Sequence, residues 1–142
     1  MSTKRLLTVP AVALALAGAV APVSPAAAAP GPRVVAANAV VVISGTANGG
    51  TVQAHTGDLV QVDLAGFRDY TVTWLWSVPA AGSPSVLSAI SGSASPNGDA
   101  QATFVAAAVG TSTVTATGRC VADRGAVCPP WVVPWRTTVV VS

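Results

Sequence analysis

Short runs of β-branched and other apolar residues alternate with turn-forming clusters throughout most of this chain. The turns recur at intervals of about 8 to 12 residues, the spacing of a two-sheet sandwich. The clearest run covers residues 70–78, where alternate positions place four large apolar side chains on one face of a strand. Those side chains are Val72, Trp74, Trp76 and Val78.

The same criteria predict strands along the whole chain from residue 33 onward, with residues 66–69 and 118–134 as loops. The predicted strands are residues 33–43, 51–55, 59–64, 70–78, 86–91, 100–106, 111–117 and 135–141. No helical periodicity competes with them. The sequence therefore predicts an all-β fold, an immunoglobulin-like antiparallel β-sandwich of seven to eight strands with one disulfide.

The first 28 residues have the pattern of a secretory signal peptide. Lys4 and Arg5 precede an apolar run of about 16 residues, which is short for a membrane-spanning helix. We expect cleavage after Ala28, an N-terminal extension at residues 29–37 and one folded domain at residues 38–142. The sequence thus predicts a secreted, extracellular protein with no membrane anchor.

Without those residues the charges balance, because five arginines face five aspartates and no lysine remains. Nucleic-acid binding requires clustered cations, and these arginines are scattered, so no nucleic-acid partner is expected. The mature length of about 114 residues suits one domain, which we expect to be a monomer. Arginine as the sole basic residue, with abundant Ala, Val and Gly, is typical of a bacterial protein from a GC-rich genome.

Cys120 and Cys128 are the only cysteines, and an even number in an exported chain predicts a disulfide. Two cysteines and one distant histidine do not make a zinc site. The disulfide would close a short ring in the loop between the last two strands, worth about 2 to 3 kcal/mol on the chain-entropy model. It should shape that loop more than it holds the fold.

The chain offers few groups for catalysis. His55 is the only histidine, with Asp58 three residues on, and no G-x-S-x-G turn supplies a nucleophile, so we expect a surface position for His55. Glu is absent and the aspartates are dispersed, which argues against paired carboxylates. Asn97 and Asp99 alone do not offer enough oxygens for calcium. We predict no catalytic residue, no metal and no cofactor, and a protein that is not an enzyme.

The four tryptophans divide into two pairs. Trp74 and Trp76 share a strand face and are expected to pack in the core. Trp131 and Trp135 flank Pro134 in and after the cysteine-containing loop, where a rigidly held indole can anchor an interface. For Trp131, binding and packing remain equally open, and for Trp135 packing is favoured over binding.

Several segments resemble the chagasin-like family of immunoglobulin-type sandwiches. The resemblance covers roughly residues 42–141, and bacterial immunoglobulin-like domains in general share most of its features. Its motifs are Gly49-Gly50-Thr51-Val52, residues 56–64, Tyr70 with Trp74, Asn97-Gly98-Asp99-Ala100 before Phe104, Gly110-Thr111, and Pro134-Trp135 at the start of a valine-rich last strand.

Chagasin-like proteins inhibit papain-type cysteine proteases with three loops, and the resemblance implies where those loops lie here. The first would be residues 66–70, the second residues 96–100, and the third would include Val133, Pro134 and Trp135. The first loop reads Gly-Phe-Arg-Asp-Tyr where the family has Asn-Pro-Thr-Thr-Gly, and Val133 stands where the family has arginine. The typical inhibitor also lacks the disulfide.

Two functions therefore remain open. The residues favour a secreted, non-enzymatic binding or interaction module with an unidentified protein partner. The alternative, implied by the resemblance, is an inhibitor whose partner is a papain-type cysteine protease. The candidate binding residues are Phe67, Arg68, Tyr70, Asn97, Gly98, Trp131, Pro134 and Trp135.

Overall fold

The computed structural model describes residue 28 and residues 38–142. Residues 38–142 belong to one compact unit. The predicted signal peptide and N-terminal extension lie outside the described residues, apart from Ala28. Within the described part of the chain, no helix has the length and apolar character that crossing a bilayer requires.

Residues 40–141 form ten strands and one short 3-10 turn. In chain order these are β1 (Val40–Ser44), the 3-10 turn (Gly45–Ala47), β2 (Thr51–Ala54), β3 (Leu59–Leu64), β4 (Phe67–Asp69), β5 (Val72–Trp76), β6 (Ala80–Ala81), β7 (Leu87–Ala94), β8 (Ala100–Ala106), β9 (Gly110–Ala122) and β10 (Val133–Val141).

The strands make two sheets, which confirms the predicted all-β sandwich. One sheet has the order β1-β3-β8-β7, and the other has the order β2-β10-β9-β5-β4, with β6 paired to β9. Most neighbours are antiparallel. The exceptions are β1 with β3 and β2 with β10, which run parallel because the chain passes from the first sheet to the second between β1 and β2.

Alternating burial along the strands explains why the two sheets close on each other. In β3, Val60, Val62 and Leu64 are buried while the residues between them are half-buried, and β8 alternates in the same way around Phe104. Because successive side chains point to opposite faces, each sheet acquires one apolar face. The core also contains Ile43, Leu87, Val114, Trp135, Val139 and Val141.

Two segments predicted as loops contain strand structure. Residues 66–69 include β4, which pairs with β5 as a hairpin. β9 continues past its predicted end at Thr117 to Ala122, because residues 118–122 pair with β5. With β4 and the two-residue β6, the described strands number ten rather than seven or eight.

Candidate protein-binding site

Three segments gather at one end of the sandwich. The first segment (residues 65–71) connects β3 to β5 and contains β4, the second segment (residues 95–99) connects β7 to β8, and the third segment (residues 123–132) connects β9 to β10. Hydrogen bonds join them, since Gly66 N–H donates to the Asp99 carboxylate at 2.7 Å and Asp123 N–H donates to the Thr71 carbonyl at 2.8 Å. We call this part of the molecule the loop end.

Two aromatic side chains of the first segment are held outside the core. Phe67 stacks on Trp74, with ring centroids 5.7 Å apart and planes at 17°, and remains 46% exposed. Tyr70 turns the hairpin with a φ of +50°, an uncommon conformation for a residue with a side chain. The Tyr70 ring is 93% exposed, so the hairpin presents it directly to solvent.

Arg68 connects the first segment to the third. Its guanidinium forms an ion pair with the Asp123 carboxylate and donates to the Thr73 hydroxyl at 3.1 Å. The two charged side chains are about half exposed, and such pairs contribute roughly 0 to 1 kcal/mol to stability. Arg68 is therefore already engaged within the chain, where it mainly orients the start of the third segment.

Gly98, predicted as a binding residue, is instead a structural residue of the second segment. It is buried, with a φ of +101°, and a Cβ added to it would lie 2.4 Å from the Trp74 carbonyl oxygen. Its own carbonyl accepts a hydrogen bond from Trp76 N–H at 2.9 Å. Only glycine tolerates both the φ and the close approach, so Gly98 fastens the second segment to β5.

Asn97 remains exposed beside Gly98. Its side-chain amide donates to the Asp99 carboxylate at 2.8 Å, and the other Asp99 oxygen accepts from Gly66 N–H. Both Asp99 oxygens are thus used in shaping the turn. Within the described residues, no three His, Cys, Asp or Glu side chains are grouped as metal ligands.

The predicted disulfide joins Cys120 and Cys128, whose Cα atoms are 5.7 Å apart. Cys120 lies in β9 opposite Trp74, so the ring extends from the end of a strand rather than from inside a loop. Beyond the ring, Trp131 is 63% exposed. Of the two possibilities left open for Trp131, packing in the core is therefore wrong, and binding stays a prediction.

Trp135 and Pro134 are not part of the loop-end surface. Trp135 is only 2% exposed and donates its indole N–H to the Gly45 carbonyl at 3.0 Å. The prediction that Trp135 is a candidate binding residue is therefore corrected, because its side chain is buried. The favoured packing interpretation of Trp135 is confirmed. Pro134 is exposed but lies within β10, where it lines a groove of about 410 Å³ with Asn48, Gly49 and Arg136.

Three exposed valines are not among the predicted binding residues: Val121 at the end of β9 is 53% exposed, and Val127 and Val132 in the third segment are 87% and 52% exposed. A valine in a β-rich chain is ordinarily assigned to the core. Their position inside or just after the cysteine ring was the available indication, because a short closed ring has no interior to bury a side chain.

His55 and Asp58 form a turn rather than a catalytic pair. The Asp58 carboxylate accepts the backbone N–H groups of His55 at 2.8 Å and Ala39 at 2.9 Å, and these bonds hold the pKa of Asp58 below its ordinary value. The His55 side chain is 79% exposed, in the surface position that the sequence predicts.

Comparison with known proteins gives likenesses of structure only. No protein-family model and no curated protein sequence matches the chain. The cysteine protease inhibitor EhICP2 from Entamoeba histolytica is similar over 73% of this chain and 96% of its own, at 14% identity and a TM-score of 0.49. Its class is the one that the sequence resemblance suggested.

Two further solved structures are similar to the chain. Amebosin aligns over 75% of this chain and 100% of its own, at 12% identity and a TM-score of 0.44. The inclusion body protein PixA from Burkholderia cenocepacia aligns over 72% of this chain and 77% of its own, at 10% identity and a TM-score of 0.48.

Proposed function

We propose that this chain is a non-enzymatic binding protein that docks a partner protein on the loop end. The observation that carries the proposal is a group of exposed apolar side chains on the first and third segments, which are hydrogen-bonded to each other. Aromatic residues dominate the energetics of such interfaces, and two of these side chains are aromatic and more than half exposed. The group comprises Phe67, Tyr70, Val127, Trp131 and Val132.

Preorganisation supports this function. The Phe67 ring is held by stacking on Trp74, the disulfide closes the first part of the third segment up to Cys128, and the Arg68 to Asp123 ion pair links the two segments. Side chains held in place before binding lose little conformational entropy when a partner arrives, so more of the contact energy appears as affinity.

The form of the loop end favours a concave partner. Tyr70 and Val127 are 93% and 87% exposed, as expected for side chains at the tips of projecting segments. Projecting apolar tips bury most surface when they enter a cleft, because a flat partner contacts only their ends. We therefore take the partner surface to be a groove in another protein.

Inhibition of a papain-type cysteine protease is the second candidate function. The specific observation in its favour is that the segments assigned by resemblance to the first two inhibitory loops are hydrogen-bonded to each other, and that the first is also hydrogen-bonded to the third segment. The anchor of the third loop would then be Trp131, since Trp135 is buried. Substitution of Tyr70 and Trp131 tests both candidates.

The first experiment is inhibition of papain by the purified, oxidised chain. Papain is activated with thiol and separated from it before mixing, because free thiol would open the Cys120 to Cys128 bridge. If the chain is an inhibitor, Tyr70→Ala and Trp131→Ala should each weaken inhibition about tenfold or more, as hot-spot truncations do. Val109→Ser is the matched control, since Val109 is 72% exposed in the turn between β8 and β9, at the other end of the sandwich.

No inhibition of papain by a folded, oxidised sample would exclude papain as a target. The broader proposal is then tested by affinity capture from culture fluid with three immobilised baits: the wild type, the Tyr70→Ala/Trp131→Ala double variant and Val109→Ser. A protein retained by the wild type and Val109→Ser but lost from the double variant supports binding at the loop end. Equal retention by all three baits contradicts it.

We also propose that the protein acts outside the cell. The Cys120 to Cys128 bridge supports this, because disulfides persist in oxidising compartments and are rare in reducing ones. N-terminal sequencing of protein recovered from the culture medium tests it. A mature N-terminus near residue 29 is the expected result, and retention of the full chain inside the cell would contradict it.

A further inference from the structure

The disulfide ring carries an arginine at its tip. Asp123 to Ala126 form a tight turn, closed by a hydrogen bond from Ala126 N–H to the Asp123 carbonyl at 2.9 Å. Arg124 is the second residue of that turn, and Gly125, with a φ of +84°, is the third. Both are exposed, so the turn holds the Arg124 side chain at the outermost point of the ring.

The base of the turn is fixed by three interactions. The bridge from Cys120 to Cys128 closes the ring. Asp123 N–H donates to the Thr71 carbonyl at 2.8 Å, and the Asp123 carboxylate forms the ion pair with Arg68. Arg124 therefore projects from a backbone that has little freedom to lose on binding.

The Arg124 guanidinium has no partner among the described residues, whereas Arg68 is neutralised by Asp123. The residue after it, Gly125, has no side chain, and Val127 is 87% exposed. The Arg124 side chain is long and positively charged, no bulky residue stands directly after it, and the nearby Val127 is apolar. These features match a narrow pocket that has apolar walls and a carboxylate at its base. A planar guanidinium pairs with such a carboxylate through two hydrogen bonds.

We propose that Arg124 is the anchor of a second binding site. Its side chain inserts into the arginine-specific S1 pocket of a trypsin-like serine protease. That pocket combines a buried carboxylate with a slot for one long side chain. This site adjoins the proposed loop-end site and shares Val127 with it, but its anchor is Arg124 rather than Tyr70 or Trp131, so substitutions can test the two separately.

The turn also determines what happens to the Arg124 to Gly125 peptide bond. Cleavage requires the bond to lie in line with the catalytic serine, in an extended segment of chain. The hydrogen bond across the turn and the disulfide both oppose that extension. The oxidised chain should therefore occupy the pocket while its Arg124 to Gly125 bond is cut slowly, which is the behaviour of an inhibitor rather than a substrate.

The test uses trypsin whose catalytic serine has been replaced by alanine, so that binding is measured without cleavage. The oxidised full chain is titrated against this trypsin by calorimetry, with and without saturating benzamidine, which fills the S1 pocket. We expect binding that benzamidine abolishes and that Arg124→Ser weakens about 100-fold or more, as loss of one partner of a buried charge pair does. Arg136→Ser is the matched control, because Arg136 is exposed on β10 and should be replaced with no more than about a twofold effect.

Active trypsin supplies the second readout, with the site of cleavage identified by mass spectrometry. The Arg124 to Gly125 bond should survive in the oxidised chain and be cut in the reduced chain. Absence of binding, binding unaffected by benzamidine, or equal losses for Arg124→Ser and Arg136→Ser would each overturn the proposal. Equal cleavage of oxidised and reduced chains would overturn the claim that the turn and the disulfide protect the Arg124 to Gly125 bond. Papain inhibition in the absence of trypsin binding would leave the proposed function standing and remove this site alone.

Discussion

Replacing Trp135 with alanine should lower the free energy of unfolding by about 4 kcal/mol. The side chain is 2% exposed. Burial of a tryptophan removes about 200 Å² from water, which at about 25 cal/mol/Å² corresponds to roughly 5 kcal/mol, and alanine retains a small part of this. The lost indole hydrogen bond adds little, since Gly45 is an exposed residue whose carbonyl can bond to water once the indole is gone. Core Trp→Ala substitutions typically cost about 3 to 5 kcal/mol.

The assay is urea unfolding followed by far-ultraviolet circular dichroism, with Trp131→Ala as the matched variant. The two tryptophans lie on either side of Pro134, but Trp131 is 63% exposed. Its replacement should change the unfolding free energy by no more than about 0.5 kcal/mol. In thermal unfolding, Trp135→Ala should lower Tm by roughly 15 °C, while Trp131→Ala should leave it nearly unchanged.

Equal unfolding free energies for the wild type and Trp135→Ala would refute the reasoning, because a residue that costs nothing to remove is not part of the core. A loss for Trp131→Ala as large as that for Trp135→Ala would also refute it. In that case the third segment would pack as a core element, and the exposed group at the loop end would lose its largest member.

Two further predictions concern turns. Asp58→Asn should lower the unfolding midpoint at neutral pH, because the Asp58 carboxylate binds two backbone N–H groups that hold its pKa down. Stabilisation by a lowered pKa is present above the unfolded pKa of about 3.9 and disappears as the pH falls through the folded pKa. Denaturant titrations should therefore show the difference in unfolding midpoint between Asp58→Asn and the wild type closing below about pH 4. A difference that stays constant with pH would contradict this. Gly98→Ala should cost about 3 kcal/mol or more, since its φ is +101° and its Cβ would meet the Trp74 carbonyl oxygen at 2.4 Å. Gly49→Ala, with a φ of +76° and no atom within 4 Å, should cost about 1 kcal/mol in the same assay, and equal losses would show that the close contact is unimportant.

Strands that are half-buried on a sheet could be located from the sequence, because burial on one face imposes a period of two. The observed bounds of β3 and β8 are those that the alternation predicted. Strand β4 escaped prediction because it is three exposed residues long and exists only through its pairing with β5. The end of β9 was not predicted for a similar reason, because residues 118–122 form a strand only through their pairing with β5.

The sequence predicted where the candidate site lies but not which residues form it. Turn residues marked the three segments, and the count of cysteines predicted the bridge between Cys120 and Cys128. Which side chains face solvent was a different matter. Gly98 is part of a turn motif that also occurs on protein surfaces, so the motif does not predict burial. Gly98 is buried because β5 approaches it closely. Val127 belongs to a residue type that is usually buried, and its exposure follows from the closed ring.

Trp131 and Trp135 separate what the sequence determined from what required the tertiary structure. Local chemistry by itself determined that this is a sandwich of short strands, that a bridged segment precedes the last strand, and that the segment is stiffened by prolines. It did not distinguish two indoles that flank Pro134. That distinction follows from the register of β10 on β9, which sets Trp135 opposite buried Ala116 and turns it into the core. Trp131 precedes the first paired residue of β10, so no neighbouring strand covers it and its ring remains in solvent.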